Sequence, residues 1–279
     1  MLNKVLNYSI LLILLVMGYE FGNKSQNVAS DLNNLLKIIL IYVSLLLVVT
    51  YTVVYYFTKH FSWKTNALEK VSSEEKLTIF PYVKQSAKYV GYLVIGIVLG
   101  IILKHDLPYL SYIISFILLI ILFIIGYQIR LQGTSLKNIL INKVGILLSL
   151  LTTFSSLATG LLASFILGLK IQTGLALASG FGWYTLSGIL TGGLINQQIG
   201  TAAFFIDFLR EIIAIILIPV CVNKNPYPII AYSGATALDF TLPVIKSNLG
   251  NEVVPVAISS GMLLTILVPI LIPIICKIL

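Results

Sequence analysis

Of the 279 residues, 58% are hydrophobic and only 10% are charged; 18 Lys and Arg stand against 10 Asp and Glu, for a formal charge of +8. Soluble domains carry about a quarter charged residues, so this composition excludes a soluble globule and calls for lipid as solvent. The positive charge, which in a soluble chain would suggest nucleic acid, here reports the orientation of loops.

Stretches without Asp, Glu, Lys or Arg cover 38–58, 107–129, 144–169, 171–206 and 253–276, and crossing a hydrocarbon core takes about 20 helical residues. Barrel strands would alternate polar and apolar residues, whereas these runs are continuously apolar. The expectation is an all-α integral membrane protein of eight to nine transmembrane segments, near 6–22, 35–58, 89–103, 109–129, 144–168, 171–194, 201–222, 227–245 and 253–279. They form a single polytopic domain over 1–279.

The first segment opens like a secretory signal, with Lys4 ahead of Ser9–Met17, but Gly18-Tyr19-Glu20-Phe21 offers no small-x-small cleavage site. A retained helix is expected. The long polar connection at 59–88 holds six lysines against Glu69, Glu74 and Glu75, and the connection after the fourth segment holds Arg130, Lys137 and Lys143 without an acid. The positive-inside bias places both in the cytoplasm, and with them the N-terminus. The first and fourth segments then run in opposite directions, yet LILLVMGYEF (Leu12–Phe21) and IILFIIGYQI (Ile120–Ile129) look alike. That pairing predicts an inverted repeat, with halves near 1–104 and 105–222. Cys221 and Cys276 lie in apolar runs and read as buried free thiols.

Two stretches read as discontinuous helices. Residues 171–206 hold seven of the 20 glycines, each costing about 1 kcal/mol in a helix relative to Ala. The break is expected near 180–188, with Gly182, Trp183, Tyr184 and Ser187 as site candidates; close packing through small residues is the alternative. The second break is expected near 233–243, around Thr236 and Asp239 and ahead of Pro243. An ionisable residue inside a membrane segment is a functional candidate; the alternative for Asp239 is an acid facing water at a helix end, with Lys246 nearby. Asp207, Arg210 and Glu211 share one helical face, where Arg210 can pair with Asp207, as a structural charge cluster or as part of the site. Glu20, beside the repeated Gly-Tyr pair, is the remaining acid, in the site or solvated at the membrane boundary.

His60 and His105 fall in loops, and the chain has no Gly-x-Ser-x-Gly elbow, no His-Glu-x-x-His pair and no phosphate-binding Gly-x-x-x-x-Gly-Lys-Ser/Thr loop. No enzyme activity, cofactor or metal is expected.

The runs ASGFGWYTLSG (Ala178–Gly188), AAFFIDFLREIIAIILIP (Ala202–Pro219), SGATALDFTLPVI (Ser233–Ile245) and IRLQGTSLKNILINKVG (Ile129–Gly145) resemble the LysO lysine-exporter family. The likeness is close over 107–279 and looser before it. It implies export of L-lysine across the bacterial cytoplasmic membrane, and an acid of the family's motif at Asp239. Members usually begin with a further hydrophobic helix, so the resemblance implies that this chain lacks one.

Lysine needs anions for two ammonium groups and donors for one carboxylate. Asp239, with Glu20 or Glu211, meets the first need, and half-helix amides within 181–188 meet the second. Trp183 and Tyr184 can cover an ammonium through cation–π contact. Moving a cation out against an inside-negative potential costs about 2.3 kcal/mol per charge per 100 mV, so export needs a coupled flux. Proton antiport through Asp239 is the expected driver and sodium the rival; a passive channel or an exporter of another cationic amino acid is the alternative.

Overall fold

The computed structural model describes residues 28–60, 80–105, 142–221 and 224–278, with short stretches between 8 and 23 and at 116–117. The helices are α1 (Val28–His60), α2 (Phe80–Leu103), α3 (Lys143–Leu167), α4 (Ile171–Ala178), α5 (Tyr184–Leu194), α6 (Gln197–Leu217), α7 (Tyr227–Ser233), α8 (Leu242–Leu249) and α9 (Val254–Ile278). Tight 3₁₀ turns at Pro219–Cys221, Gly234–Leu238 and Asn251–Val253 join the later ones. Among the described residues there is no strand. Both cysteines are free.

The side-chain distribution is that of a protein in lipid. Helix α3 turns Ser149, Thr152, Ser155, Ser156, Thr159, Gly160 and Ser164 inward. Leu148 is buried with them, but both phenylalanines point out: Phe154 is 68% exposed and Phe165 76%. The Ser156 hydroxyl has no partner among the described residues, but the others bond back to their own helix, Thr152 to the Leu148 carbonyl at 2.8 Å and Thr159 to the Ser155 carbonyl at 2.9 Å. This satisfies them without breaking the ladder. Across the interface Ser155 meets Thr50 of α1 at 3.3 Å. Small side chains let helix backbones approach closely where lipid removes the hydrophobic drive to associate. The cap Asn142 accepts from the Gly145 amide at 2.9 Å and starts α3.

A second close contact joins the N-terminal helical stretch to α2. A Cβ on Gly18 or Gly22 would strike the carbonyl of Leu93 or Ile97, and one on Gly96 or Gly100 would strike that of Leu15 or Tyr19. Each helix thus offers two glycines four residues apart to the other's backbone. The Tyr19 hydroxyl donates to the His105 carbonyl at 2.7 Å.

The expected count of eight to nine membrane segments is corrected. Among the described residues three helices are long and apolar enough to cross a membrane: Leu32–His60, Lys143–Leu167 and Asn251–Lys277, with Val90–Leu103 a shorter apolar helix. Hydropathy overcounts because continuous apolar sequence is divided in space. Residues 171–194 form helices of 8 and 11 residues, spanning only about 12 and 16 Å at 1.5 Å per residue. Residues 227–245 become a 7-residue α-helix, a 5-residue 3₁₀ turn and the start of α8. Helix α6 is continuous over 21 residues but carries Asp207, Arg210 and Glu211.

The inverted repeat is corrected as well. The described residues show none, and the glycine of the Gly18-Tyr19 pair packs on α2. The second copy at 120–129 lies outside the described residues. So do Glu20 and, apart from 142–145, the basic connection after the fourth segment. Helix α1 reaches His60 and α2 starts at Phe80, so the polar connection placed at 59–88 narrows to 61–79, which also lies outside them.

Candidate functional site

Two interruptions of helical backbone meet in the interior. The first separates α4 from α5. Phe181 (φ +50°) and Gly182 (φ +92°) take left-handed conformations, and the Trp183 amide closes a turn on the Gly180 carbonyl at 2.8 Å. A left-handed conformation at Phe181 costs roughly 1–2 kcal/mol. The buried Phe181 ring, packed with Leu186, Leu190, Leu264 and Val268, offsets it. The second interruption follows α7. Gly234 (φ +66°) ends the helix, and the Thr236 carbonyl then gathers the Asp239 amide at 3.1 Å and both the amide and the hydroxyl of Thr241 at 3.0 Å. Pro243 lies in the first turn of α8, where a missing amide is tolerated.

The two breaks touch. The Ala235 amide donates to the Phe181 carbonyl at 2.8 Å. A Cβ on Gly234 would strike that carbonyl oxygen, and one on Gly182 would lie 3.1 Å from the Ser233 carbonyl oxygen. Glycine at both positions provides the backbone angle and the room for the crossing.

Helix α6 holds both breaks by charge. The Asp207 carboxylate accepts from the Gly182 amide at 2.7 Å and from the Ser187 hydroxyl at 2.5 Å, so a negative group faces the entrance of α5. Arg210 donates through Nε to the Tyr232 carbonyl at 2.6 Å and through Nη2 to the Ala231 carbonyl at 3.2 Å. A positive group thereby meets the last carbonyls of α7. Each sign suits the helix end it faces. The guanidinium also lies over the Tyr232 ring, 5.5 Å from its centroid. Asp207, Arg210 and Glu211 are all buried. The spacing along α6 suggested an Asp207–Arg210 pair; instead the hydrogen bonds of both go to the interrupted segments. Each such bond to a charged group contributes about 1.5–3 kcal/mol.

Of the candidates named from sequence, Gly182, Ser187, Asp207 and Arg210 converge here, and Thr236 joins them beside Gly182, its hydroxyl on the Ser233 carbonyl at 2.8 Å. Trp183 and Tyr184 diverge. Trp183 is partly buried against the Leu264 and Val268 side of α9. The buried Tyr184 ring makes edge contacts with Phe204 and Phe208, at 5.4 and 5.7 Å between centroids. Asp239 ends the second break with an exposed side chain, although Ala235–Ala237 before it and Thr241 after it are buried. Its carboxylate accepts from the Phe240 amide at 2.6 Å. Sequence reasoning missed Tyr232, whose signal was an aromatic hydroxyl in an apolar run just ahead of Ser233-Gly234. Among the described residues no cluster of three or more His, Cys, Asp or Glu suited to a metal is present.

Residues 90–276 match the family model described as lysine exporter LysO. The lysine exporter LysO of Escherichia coli is 36% identical over 272 residues, covering 97% of this chain and 89% of that protein. A Haemophilus influenzae protein described as a candidate lysine exporter is 44% identical over 147 residues, covering 53% of this chain and 75% of its own length. No solved structure matches the chain. A family match across two-thirds of the sequence, with a relative aligned over nearly all of it, shows that the chain belongs to the LysO lysine-exporter family of membrane transport proteins and is not an enzyme.

Proposed function

We propose that this protein exports L-lysine across the bacterial cytoplasmic membrane in exchange for inward protons. Membership of the family supports the substrate. The observation that carries the mechanism is the crossing of two interrupted helices in the interior, with an accessible acid, Asp239, at the end of one of them. Interrupted helices let backbone and side-chain groups meet a polar solute at membrane depth. Asp239, with Glu20 as a second acid, receives the ammonium groups, and Asp239 takes a proton as lysine departs. Gly182, Ser187 and Thr236 shape the crossing, while the Trp183 and Tyr184 rings pack away from it, against α9 and α6. Asp207 and Arg210 hold α6 to both breaks, with Glu211 buried on the same helix. The six lysines of 59–88 and the basic residues Arg130, Lys137 and Lys143 put both connections on the cytoplasmic side, and the N-terminus with them.

The test is counterflow of labelled L-lysine in proteoliposomes under imposed gradients. Wild type should accumulate label, and faster with a pH gradient than with a sodium gradient of equal size. Asp239→Asn should insert normally and lose transport. Normal counterflow by Asp239→Asn, or transport that follows sodium and ignores pH, would remove the proton mechanism. Uptake without acceleration by substrate on the opposite side would indicate a channel.

A further inference from the structure

If the chain exports lysine, as just proposed, something must receive the α-carboxylate of the substrate. The Gly182 amide, in the turn ahead of α5, already donates to Asp207 at 2.7 Å. Arg210 is the one buried cation among the described residues. It is wholly buried, and two of its three nitrogens are taken by the Tyr232 and Ala231 carbonyls. The third, Nη1, has no hydrogen-bond partner among the described residues, and neither has the buried Tyr232 hydroxyl. These two groups belong to one stack, with the guanidinium 5.5 Å from the centre of the Tyr232 ring.

Buried donors are nearly always met, and each exception asks for an explanation. The guanidinium nitrogen can only donate, so an ammonium would not satisfy it, and the phenolic hydroxyl can donate beside it. A carboxylate has two acceptor oxygens and forms its strongest hydrogen bonds with a guanidinium. We propose that Arg210 Nη1 and the Tyr232 hydroxyl together receive the α-carboxylate of the transported amino acid. Arg210 thereby reads the substrate with one nitrogen while its other two hold the end of α7. A carboxylate drawn to the guanidinium pulls on the same carbonyls that fix the second break, which links occupancy to the segment bearing Asp239. Both groups are sealed in this conformation, so the ligand reaches them when the crossing at Phe181 and Ala235 parts.

The test uses the full chain in proteoliposomes, with labelled L-lysine counterflow inhibited by unlabelled L-lysine or by L-lysinamide, which lacks the carboxylate. Wild type should prefer lysine by about tenfold or more, the scale of one hydrogen bond to a charged group. Tyr232→Phe keeps the ring beneath the guanidinium and removes only the hydroxyl. It should weaken inhibition by lysine about tenfold and leave lysinamide unchanged. An equal loss for both ligands would make the hydroxyl merely structural, and no loss for either would assign it to a water; both overturn the proposal. If Tyr232→Phe does not accumulate, wild type decides alone, since equal inhibition by the two ligands overturns it as well. Absence of any lysine counterflow by wild type would instead sink the transport reading on which this rests.

Discussion

Two interiors of this molecule handle polar groups in lipid by opposite means. Between α1 and α3 the hydroxyls of Thr152, Thr159 and Ser164 return to carbonyls of their own helix. The helices stay whole, and the polar atoms serve mainly to be small. Where α4–α5 and α7–α8 cross, the polar groups of α6 reach other segments, at the turn before α5, in its first turns and at the end of α7. The first arrangement is locally complete and indifferent to motion of its neighbours. The second is complete only while three separate elements keep their places. Polar content in a membrane segment therefore says little about function until the partners are known.

Substitutions can separate the two regions, beginning with the largest effect. Arg210→Leu removes the hydrogen bonds to Ala231 and Tyr232 and leaves the acids of α6 without their buried counter-charge. Breaking a buried charged arrangement costs about 3–5 kcal/mol. Unfolding in detergent monitored by circular dichroism should show a loss of that size together with loss of transport. A variant as stable as wild type would show that the guanidinium does not hold the breaks. Next, Gly234→Ala puts a Cβ against the Phe181 carbonyl at a positive φ, a strain of roughly 1–3 kcal/mol. It should slow lysine counterflow at least tenfold while the protein still reaches the membrane; wild-type rates would mean that the crossing tolerates separation. Smallest, Ser155→Ala at the α1–α3 contact deletes a hydroxyl bonded to Thr50 and to its own helix. Such bonds average about 0.6 kcal/mol in membranes. Transport should be unchanged and the unfolding midpoint nearly so, and a tenfold loss of transport would erase the distinction between the regions.

The breaks were legible because their causes are local. A cluster of glycines at 180–188, or Ser233-Gly234 followed by Pro243, makes helix unfavourable whatever surrounds it. The helix nevertheless resumes at Tyr184, earlier than the glycine count suggested, since the left-handed angles are confined to Phe181 and Gly182. The shared face of Asp207 and Arg210 was legible from their spacing, but their partners were not. A spacing of three residues proposes a neighbour on the same helix, while helix ends brought in from elsewhere compete better for a charge. Tyr232 was illegible for the same reason, because its place beneath Arg210 depends on how α7 meets α6. The number of membrane crossings failed on a different ground. A hydropathy window measures how apolar a run is, and cannot sense that the run folds into pieces of 8 and 11 residues.

The glycine contacts between the N-terminal stretch and α2 bear on how such a molecule can move. Four carbonyl-to-glycine touches, at Gly18, Gly22, Gly96 and Gly100, leave no gap in which one rod could slide or roll against the other. The two must travel as a single stiff strut, so any change of shape that carries a solute across has to be taken up by hinges elsewhere along the chain.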